Sequence, residues 1–453
     1  MSPHLHFMGA GGVGMSGLAE VYRAQGFRVS GCDLEPSERT ARLEDLGVPV
    51  AMGHGSDHLD DVDLLVVTSA VDRAHPEIAA ALDRGLPVAR RAEMLAELMR
   101  GRRGVAVAGT HGKTTTTALI GHLLEHAGLE PTVVVGGRAR FLDSHGRLGS
   151  GDLLVCEADE FDRSFLELAP TIAVVTNLEL EHLDCYAGED DLRASFAAFA
   201  NRVSPFGSVI LCGDDQGARA LSDQVRRRVV GYGLSEDMDL RAVAVEAGPG
   251  GSKFDVRTRD GLLGDVFVPI PGLHNVRNAL AALAVGLELG VRFDRLAAAC
   301  AKFGGVARRF ELLGDRDGVT VIDDYAHHPT EVRAVLSAAR QAMPDRRLVA
   351  VFQPHLFSRT RDFAGAFGEA LTGADVAVVL PIYPAREKPI PGVDSHTVVE
   401  EALRCGHSSV VGAANFDEAL EWLKGAVRPG DVILTLGAGD VYRLAEDWLG
   451  GTE

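Results

Sequence analysis

The sequence has no apolar run of the roughly 18 residues that a membrane-spanning helix needs, so no such helix is expected. It has no C-x-x-C pair. The six cysteines (Cys32, Cys156, Cys185, Cys212, Cys300 and Cys405) are scattered, which argues for reduced thiols in or near cores over a metal ribbon or a disulfide framework. It has no excess of positive charge. Lys and Arg number 45 against 64 Asp and Glu, a net charge of −19, so neither general nucleic-acid binding nor an anionic membrane surface is expected. A local basic pocket for a phosphorylated ligand remains compatible with that balance. The first residues lack a basic segment followed by an apolar one, so no secretory signal is expected and the cytoplasm is the expected compartment. Internal repeats and low-complexity stretches are also missing. At 453 residues the chain exceeds one ordinary core, and two to four domains are expected.

What is present is organised around residues 104–117. A short apolar run, 104–108, reads as a buried strand. Gly109-Thr110-His111-Gly112 turn the chain into Lys113-Thr114-Thr115, and Leu119, Ile120, Leu123, Leu124 and Ala127 then recur at helical spacing. Strand, glycine loop, Lys-Thr and helix form the arrangement that cradles polyphosphate. Backbone N–H groups and the helix N-terminus meet the anion, lysine neutralises the β/γ oxygens, and the threonine hydroxyl ligates Mg²⁺. The usual spacing would put glycine at 107, where Val107 stands. The plain alternative is a strand–helix turn with a surface lysine.

Before this loop, 4–8 read as a strand, Gly9 to Gly14 as a second glycine loop, 15–25 as a helix and 29–32 as a strand ending at Asp33. This fits the dinucleotide fingerprint, with an acidic residue about 20 positions on for a ribose hydroxyl. It equally fits any nucleotide diphosphate on a helix N-terminus. A strand at 63–68 leads to Ser69. Arg91 opens a short helix, 92–99, where an ordinary surface charge is the commoner outcome. Composition changes at 101–104, and the first domain boundary is expected there.

After the phosphate loop, a strand at 153–156 ends in Glu157-Ala158-Asp159-Glu160. A carboxylate at that tip is where a Mg²⁺ ligand is needed, and Glu157 is best placed by position. The next strand, 172–176, runs into Asn177 through His182 and Asp184, so His182 is a candidate for a metal or phosphate role. A further strand is expected at 209–212. Residues from about 226 to 270 read as an antiparallel appendage. His274, Asn275 and Asn278 open an Ala/Leu-rich helix. Asn275 and Asn278 share a face and could cap it or read a base. Residues 303–310 look like a linker, and alternating strands and helices follow, with strands at 319–323, 348–352, 376–380 and 432–436. His327-His328 carry too little spacing information for a zinc site.

Taken together, these motifs resemble the Mur ligase family of bacterial peptidoglycan synthesis over essentially the whole chain. The resemblance rests on Gly109 to Thr114, Glu157 to Glu160, Asn177 to His182, His274-Asn275-x-x-Asn278, Arg309 and Asp324-Tyr325-Ala326-His327. It is strongest toward the branch that adds L-alanine to UDP-N-acetylmuramate, through Gly9 to Gly17, Arg90 to Leu95, Asp323 to Glu331 and Phe352 to His355. It implies three α/β domains: a Rossmann-like UDP-sugar domain, 1–103; a central ATP-binding domain of P-loop type with the antiparallel appendage, 104–306; and a Rossmann-like ligase domain, 307–453. The implied reaction is ATP-dependent amide formation through an acyl phosphate. Lys113, Glu157, His182 and Arg309 would be catalytic. Gly109 to Thr115, His274, Asn275, Asn278, Arg309 and Asp324 would hold ATP. Thr114, Glu157 and His182 would ligate Mg²⁺, with two ions expected. Gly11, Gly12, Val13, Gly14, Asp33, Ser69, Arg91, Tyr325, His327 and Arg359 would contact the other substrates. A monomer or homodimer is implied, with no nucleic-acid or membrane partner.

The sequence departs from the family pattern in two motifs. Leu356 stands where one of two arginines is usual, leaving Arg359, and Phe161-Asp162-Arg163 replaces the more usual Ser-Asp-Gly. Arg163 is therefore a candidate for the missing positive charge. Two other readings are a ligase that attaches a whole tripeptide and a nicotinamide oxidoreductase built on Gly9 to Gly14, and the second leaves Lys113 unexplained. A regulatory protein on an inactive ligase fold is the third, and the intact Lys113, Glu157 and His182 argue against it.

Overall fold

A computed structural model of the chain describes residues 2–68, 71–72, 74–180, 185–385 and 387–450. They form two compact units. One comprises Met1–Ala244, Phe254–Phe267 and Arg277–Val306, the other Val245–Lys253, Val268–Val276 and Ala307–Glu453.

The first unit opens with a five-stranded sheet in the order Val50–Met52, Arg28–Asp33, His4–Met8, Leu64–Val67, Val88–Arg90. All four pairings are parallel. The central strand His4–Met8 is buried throughout, as a parallel strand covered on both faces must be. Strand order reverses beside it, so the loop at its carboxyl end stands at a switch point, where ligands of such sheets bind. The helix after that loop spans Val13–Ala24, starting two residues earlier than its apolar period suggests because Gly12 already serves as N-cap.

The second sheet has ten strands. Its parallel part runs Arg228–Gly233, Ser208–Cys212, Ile172–Val175, Arg103–Ala108, Leu153–Glu157, Thr132–Ala139. Ser144–Arg147 adds an antiparallel edge. The expected appendage is corrected in extent. Arg228–Gly233 is a parallel member of the main sheet, and Leu240–Gly248, Gly251–Thr258 and Gly261–Val268 continue that sheet. Two-residue connections at 249–250 and 259–260 suit antiparallel neighbours. Pairing with the sheet satisfies N–H and C=O groups that a separate ribbon would leave at an edge.

The second unit holds a six-stranded sheet ordered Glu311–Arg316, Val319–Asp324, Val432–Leu436, Leu348–Phe352, Val376–Val379, Val410–Gly412. The first pair is antiparallel and the others parallel. Leu348–Phe352 is buried along its whole length, and the Phe352 and Phe367 rings pack with centroids 5.0 Å apart. Among the described residues no helix is long and apolar enough to cross a membrane.

Candidate active site

Strand Arg103–Ala108 lies between Ile172–Val175 and Leu153–Glu157, so the segments following both neighbours flank the loop after it. Val107, where the usual spacing wants glycine, is still strand and pairs in register with Glu157. The loop is therefore confined to 109–112. Gly109 has φ +137°, and a Cβ there would stand 2.0 Å from Thr176 Oγ1. Gly112 has φ +80° as N-cap of helix Lys113–His126. The loop is strapped to the following segment. The Thr176 hydroxyl donates to the His111 carbonyl (2.6 Å), the His111 N–H donates to Asn177 Oδ1 (2.8 Å), and the Glu179 N–H donates to Thr110 Oγ1 (2.9 Å). His111 Nε2 also lies 3.0 Å from Glu179 Oε2.

Lys113 Nζ donates to the carbonyl of Gly109 (2.6 Å) and to both oxygens of Glu160 (2.9 and 2.7 Å). Its side chain is 16% exposed and that of Glu160 only 2%. Burial alone would lower the lysine pKa. Glu160, Asp159 and Glu157 outweigh it and hold the pKa above the ordinary value, so the ammonium stays charged. Burial pushes the Glu157 carboxyl up against the Gly136 N–H, Lys113 and the Thr114 hydroxyl, which favour its ionised form. Thr114 and Glu157 thus offer adjacent oxygen donors of the kind Mg²⁺ takes, and a divalent cation there would favour the carboxylate further. His182 and Ser69 lie outside the described residues.

Glu160 was not singled out by position, because a run of carboxylates after a strand does not say which one turns inward. Its signal was the motif itself. Arg91 is not a loose surface charge. Its guanidinium lies against Gly14, 3.1 Å from where a Cβ would be, and pairs with Asp159 Oδ2 at 3.4 Å. One arginine thereby links the first glycine loop to the acidic cluster. Gly11, Gly12, Val13 and Gly14 form the loop and helix start expected of them. Asp33 differs. Its oxygens accept the Gly11 N–H (2.7 Å) and the Leu34 N–H (2.8 Å), so it braces the glycine loop from the next strand.

Asn278 is buried against the phosphate loop, its Oδ1 accepting from the Thr116 hydroxyl at 3.1 Å. In the second unit, Asn275 Nδ2 donates to the Pro271 carbonyl (2.8 Å), which fixes the turn before its helix, and His274 is half-buried beside it.

The second unit gathers Arg309, Asp324, Tyr325 and His327. The Arg309 guanidinium lies 5.2 Å over the Tyr325 ring and 3.9 Å from Glu331. His327 Nδ1 is 3.0 Å from the Tyr325 carbonyl and 3.2 Å from Glu331 Oε2. Asp324 accepts the Phe310 N–H (2.7 Å) and the Ala326 N–H (2.8 Å), so its carboxylate holds the linker to the loop. Burial pushes its pKa up to about 7, against the pull of Arg309. Neighbouring Arg308 pairs with Asp323 at 2.9 Å and lies between the Tyr325 and Tyr442 rings. His328 caps helix Pro329–Ala342, a structural task for half of the His-His pair. Arg359 lies 3.2 Å from His355 Nδ1, and Leu356 between them adopts φ +70°.

Arg163 already has an acidic partner. Its guanidinium pairs with Asp191 at 2.6 Å, donates to Ser195 Oγ and covers the Tyr186 ring.

Family models match three consecutive stretches: "Mur ligase family, catalytic domain" over residues 4–103, "Mur ligase middle domain" over 107–286, and "Mur ligase, glutamate ligase domain" over 308–439. The chain is 47% identical over 447 residues to a UDP-N-acetylmuramate–L-alanine ligase of Nitratidesulfovibrio vulgaris strain DP4, covering 99% of this chain and 98% of that one. It is 48% identical to one of Anaeromyxobacter sp. strain Fw109-5, covering 98% and 97%. Among solved structures, the UDP-N-acetylmuramate–alanine ligase of Thermotoga maritima matches with TM-score 0.84 and 30% identity, covering 98% of both chains. A murein peptide ligase of Psychrobacter arcticus matches with TM-score 0.72 and 26% identity, covering 99% and 98%.

Proposed function

Because the chain belongs to the Mur ligase family, we propose that it joins L-alanine to the carboxylate of UDP-N-acetylmuramate, using ATP and releasing ADP and phosphate in peptidoglycan precursor synthesis. The observation that carries this reading is near-half identity, end to end, to ligases of that name. The tripeptide-adding alternative is less well supported, at 26% and 30% identity to two solved murein peptide ligases, the second over 68% of this chain.

Residues 1–103 would take the uridine nucleotide, 104–306 ATP, and 307–453 complete the ligase. The substrate carboxylate attacks the γ-phosphorus of ATP and ADP departs, giving an acyl phosphate. The L-alanine amine then attacks the acyl carbon, and the tetrahedral intermediate expels phosphate. Such transfers need alignment and charge neutralisation more than covalent help. Lys113 would exchange Glu160 for the β/γ oxygens. The N–H groups of 109–115 would hold the phosphate chain, with Asn275, His274 and Asn278 toward the base. Thr114, Glu157 and His182 would hold Mg²⁺, two ions in all, which supplies counter-charge for the transferring phosphoryl group. Arg309 would steady the developing charge, and Asp324 would keep the loop that carries Tyr325 and His327 in place. The Gly11–Gly14 loop, braced by Asp33 and joined by Arg91 and Ser69, would receive the diphosphate, while Arg359 would face the carboxylate or the amino acid. The enzyme would act in the cytoplasm as a monomer or homodimer.

The test is phosphate release from ATP and Mg²⁺ with UDP-N-acetylmuramate fixed and the amine varied among L-alanine, glycine, L-serine and the tripeptide, the amide being confirmed by mass. Release dependent on L-alanine is expected. Release with tripeptide alone would move the assignment to the recycling ligase.

A further inference from the structure

Away from the phosphate loop, the first sheet gathers an unusual set of side chains. His6 comes from the central strand, Cys32 from its neighbour, His58 from the turn Ser56–Leu59, and Glu77 from the helix Pro76–Asp83. One ligand atom from each lies within 4.8 Å of the other three. We propose that these four residues form a structural zinc site.

Spacing is the first argument. Atoms bound tetrahedrally about 2.0–2.3 Å from zinc stand roughly 3.3–3.8 Å apart. Glu77 Oε1 lies 3.5 Å from His6 Nε2, 3.6 Å from Cys32 Sγ and 3.8 Å from His58 Nδ1. Charge is the second. The Glu77 side chain is 0% exposed and faces His6, His54 and His58, and among the described residues no Lys or Arg pairs with it. A buried carboxylate needs a compensating charge. One divalent ion with one carboxylate, one thiolate and two neutral imidazoles sums to zero, the Cys32 proton leaving to solvent as the metal binds. Orientation is the third. His6 Nε2 and His58 Nδ1 are buried without a hydrogen-bond partner, and the His6 side chain is 2% exposed. The other His6 nitrogen, Nδ1, lies 2.8 Å from the Ser30 hydroxyl, the outer contact that fixes a metal-binding tautomer. A sulfur, a carboxylate and two imidazoles suit zinc better than Mg²⁺ or Ca²⁺. His54, 3.1 Å from Cys32 Sγ, backs the sulfur.

The ion would have a definite mechanical effect. The Cys32 carbonyl accepts the N–H groups of Gly9 (2.8 Å) and Ala10 (3.0 Å), so anchoring Cys32 anchors the first glycine loop. The site is independent of which amine the enzyme uses.

Untagged full-length protein, purified without chelator, should carry about one zinc per chain by mass spectrometry. After chelation, Co²⁺ should restore a tetrahedral visible spectrum with a thiolate charge-transfer band in the near ultraviolet. Cys32→Ser should abolish that band, and Cys32→Ser and His58→Asn should each weaken metal binding by more than about 100-fold, since even outer contacts cost 10–100-fold. The cobalt titration of the wild-type chain stands even if a variant fails to fold. Wild-type protein with neither zinc nor a cobalt spectrum would overturn the site in favour of a protonated histidine beside Glu77. Metal retained unchanged in both variants would overturn it in favour of binding elsewhere.

Discussion

Glu160→Gln isolates the Lys113 ion pair. Removing one partner of a buried pair costs about 3–5 kcal/mol, because the remaining charge is left without compensation. Two features reduce that here. The ammonium keeps the carbonyls of Gly109 and Thr110, at 2.6 and 3.3 Å, and its side chain is 16% exposed. About 2–3 kcal/mol is therefore expected, or roughly 4–12 °C in Tm at the about 2–4 °C per kcal/mol of a large domain. Nucleotide should repair the defect. Phosphate oxygens supply the missing anion, and in the variant they no longer compete with Glu160. Saturating ligand at about 100 times Kd adds about 2.7 kcal/mol to any binder, and the variant should gain more than the wild type. Scanning calorimetry of both proteins, with and without ATP and Mg²⁺, reads the gap directly. It should close by at least half on adding nucleotide. A variant within about 1 °C of wild type in the absence of nucleotide would refute the reasoning, as would a gap that nucleotide leaves unchanged.

Gly109→Ala should abolish ATP binding by equilibrium dialysis, since its Cβ would stand 2.0 Å from Thr176 Oγ1 on backbone with φ +137°; retained affinity would mean the loop relaxes freely. Asp324 gives a pH test. Its folded pKa, about 7, lies above the unfolded carboxylate value, so the folded state keeps a proton that the unfolded state loses, and stability should fall as pH rises from about 4 to 7 and then level. Asp324→Asn should lack that slope, checked by Tm of both proteins at pH 5 and 7.5. Arg163→Ala should leave the KM for L-alanine within about twofold, because Asp191 already balances that charge; a large rise measured by phosphate release would return Arg163 to the amino-acid pocket.

The phosphate loop was legible because its parts are local. A buried strand, two turn glycines and a periodic helix lie within 24 consecutive residues, and each carries its own steric or hydrophobic signal. Glu157 was legible for a related reason, since a parallel strand delivers its tip to the same end of the sheet as the loop. Arg91 was not, because nothing near it in the chain announces Gly14 or Asp159. Asp33 and Asp324 were legible as positions, while the backbone N–H groups they accept were not. A carboxylate at a strand end looks the same in sequence whether it meets a ribose or two backbone N–H groups. The extent of the 226–270 region was missed because short β-prone runs carry no sign of whether they extend an existing sheet.

By itself, then, the amino-acid sequence determined the strands and helices around the two glycine loops, those loops and the family, since these depend on local sterics, periodicity and motif spacing. Only the tertiary structure decided which carboxylate Lys113 faces, that Arg163 is already paired, and that His6, Cys32, His58 and Glu77 meet. Those outcomes turn on a few ångströms between residues far apart in the chain, set by sheet order and side-chain direction.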